Sequence, residues 1–207
     1  MCGSFVAPSD VKEILKKYNI LKRGAITNNI GEVKFPSMLV PVIIYDEKCY
    51  ENKLLEMKWG WLFKEKKFLL INARSENLFK KNLYKDVIIN KRCIIPANAF
   101  FEWDDKKNKY TIRVKRSKII SLAALYKTFI NDKKELIDGV VILTKEADNQ
   151  LKTIHHRMPL ILNEEQVSKW LNYKFIEKKD MDNFFLNDVL HYDIDCKKRV
   201  QQISFLD

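Results

Sequence analysis

The sequence has few of the residues that organise disulfide-bonded, zinc-binding or membrane-spanning proteins. It contains four cysteines and three histidines, with no Cys-x-x-Cys pair and no Cys–His spacing typical of zinc ligands. We therefore expect neither a disulfide framework nor a metal site. No stretch approaches the ~20 consecutive apolar residues of a membrane helix. The first ten residues also lack the basic segment and apolar run of a signal peptide, so we expect a cytoplasmic protein.

Glycine and proline are also scarce, with five of each, so turn signals are few. The 207 residues contain no internal repeat, no Pro- or Ser-rich linker and no low-complexity tail. The simplest organisation is one domain over residues 1–207. Hydrophobic residues make up 46% of the chain, which is enough for a sizeable core and unlike a disordered composition.

Acidic residues are outnumbered by basic ones, 27 against 38, which gives a formal net charge of +11. A basic excess favours a polyanionic partner, usually nucleic acid. A general enrichment in lysine produces the same excess. The charge alone therefore leaves the partner open.

Apolar periodicity predicts a chain rich in strands. Helices are predicted at residues 10–18, 78–85 and 146–154, and twice in the tail, after Asn163 and after Asp180. Strands are predicted at residues 39–46, 53–59, 68–72, 93–103, 109–115, 118–126 and 139–144. Because strands dominate without regular βαβ alternation, we predict an α+β fold. Its core would be a curved, mostly antiparallel, barrel-like sheet with flanking helices.

The chain begins Met1-Cys2-Gly3. Removal of the initiator methionine, expected before a small second residue, gives Cys2 a free α-amine beside its thiol. The amine has an ordinary pKa of about 7.7–8.0 and the thiol about 8.5, so both are partly reactive near neutral pH. In such a pair the amine traps an aldehyde as a Schiff base, and the sulfur then closes a five-membered thiazolidine ring. Ring closure is strongly favoured because it is intramolecular. The alternative is that Cys2 has no chemical role.

Glu102 lies between Phe101 and Trp103 in the segment CIIPANAFFEWDD, residues 93–105. A carboxylate within an aromatic strand is poorly solvated, which raises its pKa and suits it to proton transfer. Strand alternation also allows Glu102 to face water while its neighbours face the core. The sequence leaves both interpretations open.

Two further clusters combine polar groups with the ends of apolar segments. INARSEN, residues 71–77, places Asn72 and Arg74 where the apolar run FLL ends. TIHHRMPLIL, residues 153–162, holds two of the three histidines, His155 and His156. Histidine exchanges protons near neutral pH, but neighbouring side chains point in different directions, so at most one of the two is expected in a given site.

Taken together and in this order, MCG, INARSEN, RCIIPANAFFEW and IHHRMPLIL closely resemble the motifs of the SOS-response-associated peptidase (SRAP) family. MKWGW, residues 57–61, is similar to the family's Trp-Gly segment. The resemblance covers residues 1–172. Residues 173–207, expected to form a helical or extended tail, have no firm match to the family's motifs.

The resemblance implies a protein of the bacterial DNA damage (SOS) response that crosslinks to abasic sites in single-stranded DNA. By this resemblance, Cys2 is the nucleophile, Asn72 positions it, and Glu102 assists ring opening and proton transfer. His155 lies close to the sugar oxygen. For DNA binding, Arg74 matches a phosphate contact and Trp103 lies beside the DNA path. Abasic-site lyase activity and peptidase-like self-processing are further implied activities.

The family resemblance implies a cytosolic monomer, associated with the nucleoid, that needs no metal or organic cofactor. One departure from the motifs is Ser4, where the family has an arginine; this removes a phosphate contact. Three alternatives stay open: an N-terminal-nucleophile hydrolase, a cysteine-type peptidase using Cys2, and a DNA-binding module without chemistry. The first requires an Asn-Gly pair for its oxyanion, and the chain has none.

Overall fold

The computed structural model describes residues 2–21, 31–63, 68–130, 134–172, 179, 184 and 190–199. The helices in these ranges are α1 (Val11–Lys17), α2 (Asn82–Asn90) and α3 (Glu164–Asn172). The strands are β1 (Phe5–Val6), β2 (Val33–Lys34), β3 (Leu39–Asp46), β4 (Glu51–Trp59), β5 (Trp61–Phe63), β6 (Phe68–Leu70), β7 (Asn72–Arg74), β8 (Arg92–Ala97), β9 (Ala99–Trp103), β10 (Lys109–Val114), β11 (Ile120–Ile130), β12 (Leu136–Glu146), β13 (Arg157–Pro159), β14 (Ile161–Leu162) and β15 (Tyr192–Lys197).

Five strands close into a barrel in the order β12-β4-β3-β8-β11, because β11 pairs back with β12. β13, β14 and β7 attach to this ring. Two of its contacts, β12 with β4 and β12 with β7, are parallel, and the other described pairings are antiparallel. The predicted α+β fold with a curved, mostly antiparallel, barrel-like sheet is thus confirmed.

A second sheet, in the order β15-β10-β9-β1-β2, covers one face of the barrel. Alternate residues of the barrel strands belong to two different core clusters, as expected when successive side chains point to opposite faces. Ile142 and Cys93 pack in the cluster that also holds Cys2, Phe5 and Phe100. The chain's second residue is therefore built into the contact between the two sheets.

Most of the predicted elements are present, with one boundary shift among the helices. Residues 39–46 form a strand with the predicted bounds, and α1 and α3 occupy the predicted helical segments. At α3, Asn163 Oδ1 accepts from the Gln166 N–H and Gln166 Oε1 accepts from the Asn163 N–H, which completes a capping box. The helix predicted at residues 78–85 instead begins at Asn82, after a 3-10 turn at Ser75–Asn77.

The helix predicted at residues 146–154 is wrong. β12 continues to Glu146, and a hydrogen-bonded turn follows it. The Asp148 carboxylate accepts from the backbone N–H groups of Gln150 and Leu151, both at 3.0 Å. Such local side-chain bonds stabilise a turn in competition with a helix.

The tail contributes β15, an edge strand that pairs with β10 and that the sequence did not predict. The helix predicted after Asp180 lies outside the described residues, apart from Phe184, which packs edge-on against Trp170. Within the described part of the chain, none of the helices has the length and apolar character needed to cross a membrane.

Candidate active site

Cys2 lies in the short segment that precedes β1 of the second sheet, and it is fully buried. Its Sγ donates to the carbonyl of Ser4 at 3.7 Å. Burial, reinforced by the negative charge of Glu102, raises the pKa of the Cys2 thiol well above its usual value. At neutral pH the sulfur is therefore a thiol rather than a thiolate.

Asn72 contacts Cys2 directly. β7 pairs in parallel with β12 so that Asn72 lies beside Ile142, which places the Asn72 side chain on the Cys2 face of the barrel. Its Nδ2 donates to the Cys2 carbonyl at 2.9 Å. Asn72 Oδ1 is buried and has no hydrogen-bond partner among the described residues. One end of the amide thus holds the Cys2 backbone while the other keeps a lone pair for a donor.

Glu102 is only 3% exposed, although successive side chains of β9 alternate between the two faces of the sheet. It follows Phe100 on β9 by two residues, so both side chains share the face that packs against Cys2. Burial raises its pKa to about 7, and the positive amino terminus of the chain opposes part of that rise. A carboxyl with this pKa is both acid and base at neutral pH.

His155 is half-buried in the turn before β13. The backbone N–H of Arg157 donates to its Nδ1 at 2.9 Å, and the His156 ring stacks on it with centroids 4.4 Å apart. Burial, followed by the charge of the amino terminus, lowers the pKa of His155. The ring is thus neutral at physiological pH.

In the chain that still carries Met1, the same amino-terminal charge acts on Cys2, Glu102 and His155. Three groups from widely separated parts of the sequence are therefore brought into one electrostatic environment. Glu102 also acts on the Cys2 thiol. The structure thus brings the four residues singled out as catalytic in the sequence, Asn72 included, around the beginning of the chain.

The two residues singled out for DNA binding lie at the edge of this group. Arg74 is exposed and lies opposite Thr144, two residues beyond Asn72 on the same face. Trp103 is 37% exposed and follows Glu102 directly, so it points to the opposite face of β9. Lys109, its cross-strand partner, places Nζ 5.7 Å from the Trp103 ring centroid and 3.7 Å from that of Phe101.

Two charged residues near the site were missed in the sequence. The guanidinium of Arg157 makes two hydrogen bonds to the Glu76 carboxylate, at 2.8 and 3.0 Å. Both residues stand inside motifs already noted, INARSEN and IHHRMPLIL, but nothing in the sequence pairs positions 81 residues apart. Among the described residues there is no group of three or more His, Cys, Asp or Glu side chains arranged to hold a metal ion.

Sequence comparisons match this chain to one protein family over most of its length. The family model described as SOS response associated peptidase (SRAP) matches residues 1–203. A Bacillus subtilis protein named abasic site processing protein YoqW is 32% identical, and the alignment covers 100% of this chain and 94% of that protein. A Gallus gallus protein named abasic site processing protein HMCES is 27% identical over 65% of this chain and 50% of its own length.

Solved structures share the fold. A Bacteroides thetaiotaomicron protein superposes with a TM-score of 0.80 at 22% identity, covering 94% of this chain and 91% of that one. A Bordetella bronchiseptica protein gives a TM-score of 0.79 at 23% identity, covering 96% and 100%. The match to the family model spans nearly the whole chain, and it includes Cys2, Asn72, Glu102 and His155. The chain belongs to the SOS response associated peptidase family.

Proposed function

We propose that this protein captures abasic sites in single-stranded DNA by forming a thiazolidine between Cys2 and the ring-opened sugar. The observation that carries the proposal is the burial of Glu102, with a pKa of about 7, beside a Cys2 whose backbone is held by Asn72. Relatives named abasic site processing proteins support the same substrate.

The chemistry begins with removal of Met1, which frees the α-amine of Cys2. Protonated Glu102 donates to the sugar ring oxygen, the bond from that oxygen to the anomeric carbon breaks, and the anomeric hydroxyl gives its proton to neutral His155 or water, which leaves the aldehyde. The amine attacks the aldehyde carbon, and loss of one water gives the Schiff base. The sulfur then attacks the same carbon while its proton passes to the nitrogen, which closes the five-membered ring. His155, kept neutral because burial lowers its pKa, is the second proton carrier.

The state of the Cys2 thiol favours this order of events. A cysteine peptidase needs a thiolate as its first nucleophile, whereas burial and Glu102 keep this sulfur protonated. An amine with an ordinary pKa of about 8 is the better first nucleophile. The sulfur is then needed only for the intramolecular second step. This ordering argues against the peptidase alternative.

The edge of the site is suited to binding single-stranded DNA. Arg74 supplies a charge for a phosphate, and Trp103 offers an exposed ring on which a base can stack. Lys109, placed over aromatic rings, adds a second cation beside Trp103. We propose that the protein acts as a cytoplasmic monomer and that the reaction requires neither a metal nor an organic cofactor.

The decisive test is denaturing electrophoresis of the protein mixed with a uracil-containing single-stranded oligonucleotide that a glycosylase has treated. We expect a shifted band that survives denaturation. The same oligonucleotide without uracil and the Cys2→Ala variant should give none. Binding without a denaturation-resistant band would favour the DNA-binding module and contradict the proposal.

Non-covalent affinity for DNA should fall with salt, with a log–log slope of about −0.7 per phosphate contacted. Arg74→Ala should flatten that slope by roughly one contact, irrespective of DNA sequence. Fluorescence anisotropy over a salt series measures it. Lys169→Ala removes the same charge from α3, where Lys169 pairs with Glu165, and serves as the control. Equal slopes for wild type and Arg74→Ala would remove Arg74 from the DNA contact.

A further inference from the structure

The Arg157 side chain is buried, and its charge is neutralised within a dense set of contacts. Besides the Glu76 carboxylate, it donates to the Thr144 carbonyl at 2.7 Å and to the Thr144 hydroxyl at 3.3 Å. A buried guanidinium is stable only with such partners. Burial raises the pKa of Glu76, but the Arg157 hydrogen bonds, a backbone hydrogen bond and the charges of Arg157 and Arg74 together hold that pKa below its usual value. The pair is therefore ionised at neutral pH.

The backbone of the same Arg157 holds the imidazole of His155. An amide N–H can only donate, so Nδ1, 2.9 Å away, accepts, and the neutral ring carries its proton on Nε2. The Arg157 carbonyl lies 3.1 Å from the same Nδ1 and accepts from it when the ring is protonated. Both protonation states of His155 therefore find a partner in one residue, without rotation of the ring.

The segment that carries these two contacts is also tied to its neighbours in the chain and to β12, since the His155 N–H donates to the Leu151 carbonyl at 3.0 Å. Ala147 donates to the His156 carbonyl at 3.1 Å, and Arg157 lies opposite Glu146 where β13 begins. The His156 side chain is exposed and contributes its ring stacking. The Arg157–Glu76 pair adds to these contacts a direct link between residues 155–157 and the 3-10 turn after β7.

We propose that Glu76 and Arg157 are positioning residues for His155: their ion pair fixes the backbone of residue 157, which in turn fixes the orientation and tautomer of the imidazole. The proposal rests on the proposed function for its kinetic consequence, because His155 is a proton carrier there. Its structural consequence holds in the free protein. The two can therefore be tested separately.

The first test is a long-range ¹H–¹⁵N spectrum of the free protein. In the wild type, His155 should show a single tautomer with the proton on Nε2. Glu76→Ala should give a mixture of the two tautomers, and Glu76→Gln, which keeps the shape, a smaller change. Asp195→Ala breaks an exposed ion pair with Arg113 and is the matched control. A wild-type His155 spectrum in folded Glu76→Ala would overturn the proposal; if that variant fails to fold, Glu76→Gln decides.

The second test is the rate of adduct formation at saturating abasic DNA. Glu76→Ala should slow it about 10-fold, because a misplaced proton carrier lowers the rate after binding. Affinity for undamaged single-stranded DNA should stay unchanged. A loss of thermal stability together with a wild-type rate would show a merely structural role. If wild-type protein forms no adduct, the proposed function fails, while the spectra still decide the positioning role.

Discussion

An uncleavable residue placed before Cys2 should abolish the stable adduct, although the thiol is intact. In a Met-Ala-Cys variant, removal of Met leaves alanine as the first residue, and the nitrogen of the cysteine becomes an amide. An amide nitrogen cannot form a Schiff base, so no thiazolidine can close. We expect this variant to bind undamaged DNA as the wild type does and to form less than about one-hundredth of the stable adduct, since both ring-forming atoms are required.

Cys2→Ser should behave differently, because it keeps the α-amine and loses the sulfur. The Schiff base forms but is not captured, so borohydride should trap a covalent product that is absent without the reductant. The same Schiff base can eliminate the 3′ phosphate and nick the strand, which denaturing electrophoresis also detects. Intact mass spectrometry first confirms the amino-terminal residue of each variant.

The two variants separate two mechanisms on one oligonucleotide. A thiolate nucleophile predicts a tolerated extension and an inert Cys2→Ser. The amine-first mechanism predicts the reverse, as the raised pKa of the buried Cys2 thiol also favours. A stable adduct from the extended protein would refute the thiazolidine.

The chemistry at the amino terminus was predictable because it depends on local covalent structure. A cysteine in second position offers an amine and a thiol on neighbouring carbons whatever the fold. The bounds of the strand at residues 39–46 were likewise readable, since its apolar run is fixed by burial on both faces. These features need no knowledge of which elements meet in space.

The environment of Glu102 was not predictable from its neighbours. Alternation left open whether this side chain faced water, and the answer depends on what covers each face of β9. Phe101 and Glu102 point to opposite faces, yet they are only 6% and 3% exposed. The strand is thus covered on both sides at this point, which no pattern within residues 93–105 indicates.

Long-range pairings account for most of what the sequence did not predict. Asn72 reaches Cys2 because β7 joins β12 in parallel beyond the point where β4 leaves it. The Glu76–Arg157 pair depends on the same strand, through the contacts of Arg157 with Thr144. β15 adds to the edge of β10 from a tail without a recognisable motif. Each depends on register between distant segments, which local periodicity does not encode.

Glu102→Gln should slow adduct formation by about 100-fold or more, within the range that one general acid–base group contributes. The amide keeps the shape and can hydrogen-bond, but it cannot transfer a proton to the sugar oxygen. Affinity for undamaged DNA should be retained. Single-turnover rates at saturating abasic DNA measure the loss, and a wild-type rate would remove Glu102 from the chemistry.

The pH dependence of the rate of adduct formation should also change in Glu102→Gln. The acid form of Glu102 declines as pH rises through about 7, while the α-amine becomes reactive toward its ordinary pKa of about 8. The wild-type rate should therefore pass through a maximum between about pH 7 and 8. Glu102→Gln should lose the decline on the alkaline side and keep the rise. A wild-type profile in this variant would show that another group is the acid.

Stability gives an independent measurement of the same pKa. The folded-state pKa of Glu102, about 7, lies above its usual value of 4.5, so its favourable contribution is complete below 4.5 and is lost as pH rises through 7. The loss arises because the ionised carboxylate is poorly solvated in the site. Glu102→Gln removes this cost, and its melting temperature relative to wild type should rise between pH 5 and 9. A constant difference across that range would show that Glu102 does not titrate near neutrality, and the acid role proposed for it would fall with that result.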